Sequence, residues 1–323
     1  MYFSYTRTAL KVILVYLLNN TKKKKLLVPD FICDTIIYHI KKLKIEIIYY
    51  QVNKNLTINW KEIQKLDNLD DHIGILIVNY FGFPINLDEA INFCNKQKLI
   101  LIEDNSHGHY GYYKNKELGT YGDFGFSSPR KHLPILYGGY LYNKITNKIN
   151  INLDTHYKTS LISKFKIFVN LFFLSQKLAL LKFFKPNQNK IKIENYVEVL
   201  DSKIDKYSLN KILKTNWDKI KYKKVKNYLK IYNFFKDSNY KPLFKITSEF
   251  KEINPWCCPI ITKSEKEALY LLNWAKRNSI LAFSWPTLPK EVSKDSISYI
   301  NSKVLVCISC YNTKKFDKSL VLK

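Results

Sequence analysis

Residues 99–139 read LILIEDNSHGHYGYYKNKELGTYGDFGFSSPRKHLPILYGG. An apolar run, Leu99–Glu103, has the texture of a short buried strand and ends in an acidic pair, Glu103 and Asp104. A second short strand, Phe124–Ser127, then delivers Ser127, Ser128 and Lys131. Successive strand residues point to opposite faces, so Glu103 and Asp104 are expected to be turned apart. One strand end thus offers a carboxylate that can hold a proton. The other offers hydroxyls that can hold an anion, and an amine that can act as a nucleophile.

Working outward, the first half of the chain alternates strands with helices. Strands are expected at Leu26–Val28, Ile45–Val52, Ile73–Tyr80, Leu99–Glu103, Phe124–Ser127 and Gly139–Tyr142, each rich in Ile, Val, Leu or Tyr and bounded by polar or Gly/Pro signals. Helices are expected at Ala9–Leu18, at Asp34–Leu43 with Asp34 as N-cap, and at Asn86–Gln97 with Asp88 and Glu89 in the first turn. Such alternation predicts an α/β domain with a mostly parallel sheet flanked by helices, whose chemistry gathers at the carboxyl ends of the strands. After about residue 150 the texture changes to long Lys-rich helical segments, Thr159–Phe184 and Asp201–Phe235. These are followed by a strand at Pro255–Thr262, a helix at Ser264–Asn278, and strands at Ile280–Phe283 and Lys303–Ser309. The division predicted is a large domain over 1–150, then linking helices and a smaller α+β C-terminal domain over 151–323.

The chain is long enough to bury a substantial core, and its 46% hydrophobic content is that of a globular protein. A net charge of +26 suggests nucleic acid at first sight. Almost all of it is Lys, however, spread along the whole chain, and the arginines are only Arg7, Arg130 and Arg277. Readers of nucleic acid favour the bidentate Arg fork, so this class is set aside. A diffuse positive field instead attracts small anionic substrates such as nucleotide diphosphates. The six cysteines, Cys33, Cys94, Cys257, Cys258, Cys307 and Cys310, are scattered through apolar settings and read as free thiols of a reducing cytosol. Cys307 and Cys310 have CxxC spacing, but no second pair accompanies them and no metal site is expected. The N-terminus lacks the pattern of a signal peptide, and Lys22–Lys25 reads as a solvated turn. Phe165–Phe184 is apolar but interrupted by Lys166, Asn170, Gln176, Lys177 and Lys182, too polar to span a bilayer. It reads as an amphipathic helix packed on the domain or in a dimer contact, the alternative being weak association with a membrane surface.

Seven segments taken in order resemble the DegT/DnrJ/EryC1/StrS family of pyridoxal phosphate (PLP)-dependent sugar aminotransferases. They are Tyr5–Leu10 (YTRTAL), Val28–Cys33 (VPDFIC), Val78–Pro84 (VNYFGFP), Ile102–Gly108 (IEDNSHG), Gly119–Lys131 with the Gly138–Gly139 pair, Asn254–Ile261 (NPWCCPII) and Trp285–Pro289 (WPTLP). The resemblance implies a fold-type I PLP-dependent transferase and a homodimer in the cytoplasm. It implies amino transfer from an amino acid, glutamate being the expected donor, to a keto sugar carried on a nucleotide, for a surface glycan. Two alternatives are a PLP enzyme of another reaction type, such as a sugar dehydratase, and a non-catalytic relative that works as a membrane-surface partner. Relatives that deoxygenate sugars replace the lysine with His, which Lys131 argues against. A scaffold would not need both Asp104 and Lys131.

By the same resemblance, Lys131 is the lysine that binds PLP covalently and then carries protons. Asp104 is the partner of the pyridine nitrogen and His107 the neighbour of the ring hydroxyl, although a lone His is often only structural. Ser128, with Ser127 as second choice, holds the phosphate, together with Thr6, Arg7 and Thr8 at the start of a helix whose N–H groups face an anion. The chain departs from the family in three places. Thr6 stands where the family usually has Gly. Where the family has an aromatic residue over the cofactor ring, the chain offers Cys33 with Phe31 nearby: either that residue is missing or Phe31 substitutes for it. In the stretch Glu194–Val199 (ENYVEV), Asn195 and Tyr196 are present without the Arg that relatives donate across the dimer.

Overall fold

A computed structural model describes residues 1–66, 69–142, 203–247, 250, 252–311 and 313–316. The expected boundary near residue 150, the helical segment Thr159–Phe184 and the stretch Glu194–Val199 lie outside the described residues. The first half carries β1 (Tyr2–Phe3), α1 (Thr6–Asn20), β2 (Lys25–Pro29), α2 (Asp34–Lys42), β3 (Glu46–Tyr50), α3 (Trp60–Ile63), β4 (His72–Val78) and α4 (Leu87–Gln97). It continues with β5 (Ile100–Asn105), the small hairpin β6 (Tyr112–Tyr113) and β7 (Lys116–Glu117), β8 (Phe124–Ser127) and β9 (Gly139–Leu141). The second half carries α5 (Lys206–Leu213), α6 (Trp217–Phe235), β10 (Lys241–Pro242), β11 (Cys257–Ile261), α7 (Glu265–Arg277), β12 (Ala282–Ser284), α8 (Ile297–Val304) and β13 (Leu305–Ser309).

The seven-stranded sheet runs β1-β9-β8-β5-β4-β2-β3. Strands β8, β5, β4, β2 and β3 are parallel, and β9 inserts antiparallel between β8 and β1. The sequence of β4, HIGILIV, is buried at all seven positions, as expected of a central parallel strand covered on both faces. In the register of these strands, Val78 of β4 pairs with Asp104 of β5, and Asp104 pairs with Phe126 of β8. Those three side chains therefore stand in a row on one face, at the carboxyl ends of their strands.

The second sheet is antiparallel throughout, in the order β10-β11-β13-β12. Helix α7 buries Ala268, Leu271, Trp274 and Ala275 on one stripe, and α6 buries Lys224, Tyr228, Ile231 and Phe235. Two expected elements divide. The run Asp201–Phe235 breaks after Leu213, because the Asn216 side chain accepts the Lys219 N–H at 2.9 Å and starts a new helix. Lys303–Ser309 begins as the last turn of α8 and becomes extended only at Leu305. Asp34 occupies the first helical position of α2, with Cys33 at the cap. Five of the six thiols are buried and Cys33 is half-buried, all of them free. No described helix is long and apolar enough to cross a membrane.

Residues 252–256 join the two sheets. Glu252 O accepts the Tyr112 N–H at 2.9 Å, the Asn254 amide donates to His109 O at 2.7 Å, and the Trp256 N–H donates to Phe81 O at 2.9 Å. This docking requires a glycine at position 82, whose φ of +91° is left-handed and whose missing Cβ would lie 2.6 Å from Asn254 O and 2.9 Å from His107 O. Gly139 plays a similar part at the other end of the sheet, since a Cβ there would come within 2.3 Å of Tyr5 O. The Gly138–Gly139 pair thereby lets β9 lie against the start of α1.

Gly82→Ala should therefore lower the unfolding free energy by about 1–3 kcal/mol through the strained φ, with a further loss from the Asn254 contact. The urea midpoint of the variant against the wild type measures this.

Candidate active site

A cavity of about 530 Å³ opens at the carboxyl ends of the parallel strands, a size suited to a cofactor or a small substrate. The row Val78, Asp104 and Phe126 forms one side. The turn after β8 brings in Ser128, Arg130 and Lys131, and the first turn of α1 brings in Thr6 and Arg7. Cys33 and His107 also face it. From the second half of the chain come Trp256 and Trp285.

Three of the residues singled out in the sequence do not line the cavity. Phe31 is fully buried behind the wall, edge-on to Trp285 at 5.5 Å and to Tyr80 at 5.7 Å, while Ile32 and Cys33 face inward. Ser127 lies on the opposite face of β8 from Phe126, where its hydroxyl meets His109 Nδ1 at 2.7 Å. Ser128 is the serine that reaches the cavity, its hydroxyl donating to Gly138 O at 3.4 Å. Thr8 is buried on the inner side of α1, its hydroxyl without a hydrogen-bond partner. Trp256 and Trp285 are lining residues from the second half of the chain that sequence reasoning missed. Both fall inside quoted segments, but nothing local says that a strand edge some 150 residues later in the chain returns to cover a site built by β5 and β8.

Asp104 is nearly fully buried. Burial raises its pKa, while the Ser106 hydrogen bonds and the charge of Lys131 pull it back toward the ionised form. One of these bonds is the Ser106 N–H to Asp104 Oδ1 at 2.8 Å. Lys131 is enclosed by protein but keeps a surface open to the cavity. Desolvation lowers its pKa to about 8; Asp104 opposes that shift and Arg130 adds to it. A sizeable neutral fraction is then present near pH 7–8, as an amine nucleophile needs. His107 Nδ1 accepts the Phe81 N–H at 3.0 Å, which leaves the single ring proton on Nε2. Burial, Lys131 and His132 hold its pKa well below the usual value, so the imidazole is neutral.

The far end of the cavity suits an anion. Helix α1 begins at Thr6 with no side-chain cap and no acidic residue in its first turn, so its N–H dipoles are unopposed. The Arg7 guanidinium lies 4.4 Å from the centre of the Tyr5 ring and that of Arg130 lies 5.9 Å from it. Two of the three arginines of the chain thus converge on one tyrosine at the cavity edge. Among the described residues, Asp104 is the only carboxylate on the wall. An acid-binding nitrogen at the Asp104 end, an aldehyde near Lys131 and a phosphate at the α1 end match the donor set, so the residues fit PLP.

Glu103 points to the opposite side of β5. It accepts the Asn79 amide at 3.2 Å and the Tyr121 N–H at 3.2 Å, and burial raises its pKa to about 7.

The DegT/DnrJ/EryC1/StrS aminotransferase family matches residues 6–146, the span that holds most of the large sheet. Among solved structures, the Helicobacter pylori aminotransferase involved in pseudoaminic acid biosynthesis is similar at 15% identity and a TM-score of 0.65, over 98% of this chain and 83% of that one. A DegT DnrJ EryC1 StrS aminotransferase from Brucella abortus is similar at 13% identity and a TM-score of 0.67, over 97% of this chain and 82% of that one. The sugar aminotransferase CalS13 from Micromonospora echinospora is similar at 10% identity and a TM-score of 0.64, over 98% of this chain and 84% of that one. At these identities the likeness establishes the fold, that of the fold-type I aminotransferases, as the resemblance implied.

Glu103 binds its proton more tightly folded, near pH 7, than unfolded, near 4.5. Its contribution to stability is therefore full below pH 4.5 and is lost as the pH rises through 7. Glu103→Gln removes that loss, and its new N–H₂ can donate to Asn79 Oδ1, which is buried without a partner. The variant should be more stable than the wild type at pH 8 by up to roughly 3 kcal/mol, and the gain should shrink toward pH 5. Urea unfolding at the two pH values reads this out.

Proposed function

With residues 6–146 belonging to the DegT/DnrJ/EryC1/StrS aminotransferase family, we propose that the chain moves an amino group from an amino acid, glutamate being the best fit, to a keto sugar carried on a nucleotide. The observation that carries this reading is that Lys131 and Asp104 line the same cavity, a cavity that Arg7 and Arg130 also line. PLP would be held by Asp104 at its pyridine nitrogen, by Lys131 at its aldehyde carbon, and by Thr6, Arg7, Ser128 and the start of α1 at its phosphate. Bound there, it supplies an electron sink for bond changes at the amino-bearing carbon.

The residues of the chain do the rest. With PLP bound, the free amine of Lys131 would hold its aldehyde carbon with release of water and, when freed by the amino donor, would move the proton at the amino-bearing carbon. The carboxylate of Asp104 keeps the proton on the pyridine nitrogen, which keeps the ring electron-poor. Neutral His107 can donate from Nε2 without adding a charge that would raise the acidity of the site. Phe126, Val78 and the two tryptophans exclude water, which strengthens each of these electrostatic contacts. Arg130 and the net charge of +26 favour a dicarboxylate donor and a diphosphate-bearing acceptor. We place the enzyme in the cytosol as a homodimer, in keeping with its free thiols, with its amino sugar going into a glycan.

Incubation with PLP, glutamate and a panel of nucleotide-linked keto sugars tests this reading, with an amino sugar and 2-oxoglutarate as the expected products. Absence of both, together with no absorbance band near ~420 nm and no borohydride-fixed adduct on the protein, would overturn it. Lys131→Ala should lose the band and the adduct. Asp104→Asn should keep the adduct yet lower turnover by about 10²–10³-fold, the usual cost of removing one preorganised electrostatic group.

A further inference from the structure

The contact that the proposed reaction does not explain is between Lys131 and the second half of the chain. Lys131 Nζ lies 4.2 Å from the centre of the Trp256 ring. Among the described residues no carboxylate makes an ion pair with it, Asp104 included. The charged groups that face it are Asp104 from β5 and the adjacent Arg130, which act in opposite directions. The thiols of Cys33 and Cys257 and the rings of His107 and His132 complete its surroundings. Burial keeps Cys257 and both imidazoles neutral. The indole face is therefore the group in direct contact with the ammonium.

Trp256 is itself held firmly. Its N–H donates to Phe81 O at 2.9 Å, its ring stacks on His107 at 4.6 Å and 30°, and it leans on Phe283 at 4.9 Å. It sits one residue before β11, an inner strand of the small sheet. An indole face attracts a cation more strongly the more the pair is withdrawn from water.

We propose that Trp256 is a positioning residue for Lys131, its indole face being the seat that the protonated lysine occupies whenever it is not covalently engaged. This rests on the reading of Lys131 as the PLP lysine. A lysine that alternates between bonded and free needs a defined resting place, and here the small domain provides it. Because the seat favours the charged form, it also opposes the desolvation that would otherwise make the amine neutral too early.

The test measures the protonation of Lys131 directly, in the protein without added PLP. Acetic anhydride labelling across pH, read peptide by peptide by mass spectrometry, gives the midpoint for Lys131 in the wild type, Trp256→Leu and Trp256→Phe. Leucine keeps the site apolar without a π face, so the midpoint should fall by about one pH unit, the shift that a desolvated cation–π contact converts to. Phenylalanine, a weaker face, should give an intermediate value, a graded rescue that a purely structural role would not produce. An unchanged midpoint in Trp256→Leu with the fold intact overturns the assignment. If Trp256→Leu does not fold, Trp256→Phe decides: a midpoint below that of the wild type supports the seat, and an unchanged one overturns it. In parallel, borohydride fixation of PLP on the wild type tests the underlying reading. A midpoint shift without a Lys131 adduct would support the seat and overturn the cofactor role, so the two failures are told apart.

Discussion

Asp104, buried, and Lys131, half-buried, are an acid and a base that line the same cavity without forming an ion pair. In a low-dielectric interior two such groups attract strongly, and closing the gap would leave neither free for a ligand. The separation is maintained from both sides. Asp104 is tied down by the Ser106 N–H and by its place between Val78 and Phe126 in the sheet. Lys131 is held away on the turn after β8, with its ammonium against an indole. Both groups thereby stay available to whatever enters the cavity.

That arrangement makes the large sheet depend on the small one. Trp256 arrives through residues 252–256, which reach across to Tyr112, His109 and Phe81 by hydrogen bonds. Gly82 clears the path for that crossing. The apolar core reflects the same dependence, since buried side chains from Leu26 on β2 to Cys257 on β11 form one cluster. The two sheets are distinct in topology but share an interior at the site.

The parallel sheet and the residues at its carboxyl edge were legible because their signals are local. Runs such as HIGILIV and LILIED have few interpretations, and alternation along β5 separated Asp104 from Glu103. Alternation along β8 also explains why Ser128, and not Ser127, enters the cavity. What could not be read depends on long-range packing. The orientation of Phe31 away from the cavity is set by Tyr80 and Trp285, and Trp285 lies more than 250 residues further along the chain. The break between α5 and α6 hung on one asparagine cap inside a Lys-rich helical run, where periodicity is blind to a turn of three residues. The arginine pair on Tyr5 joins residues that follow β1 and β8, strands far apart in sequence that flank β9 in the sheet.

That insertion has a consequence for the order in which the molecule is made. Strand β1 has no partner until β9 exists, since Tyr2 pairs with Tyr140 and Phe3 with Gly139, and Phe3 also bridges to Lys203. During synthesis β1 must wait for about 140 more residues before it can settle, with β2, β3, β4 and β5 free to assemble meanwhile. The first turn of α1 is anchored by the same late pairing. The anion end of the cavity is therefore completed late, and in a nascent chain that stops short of β9 the start of α1 still lacks its anchor.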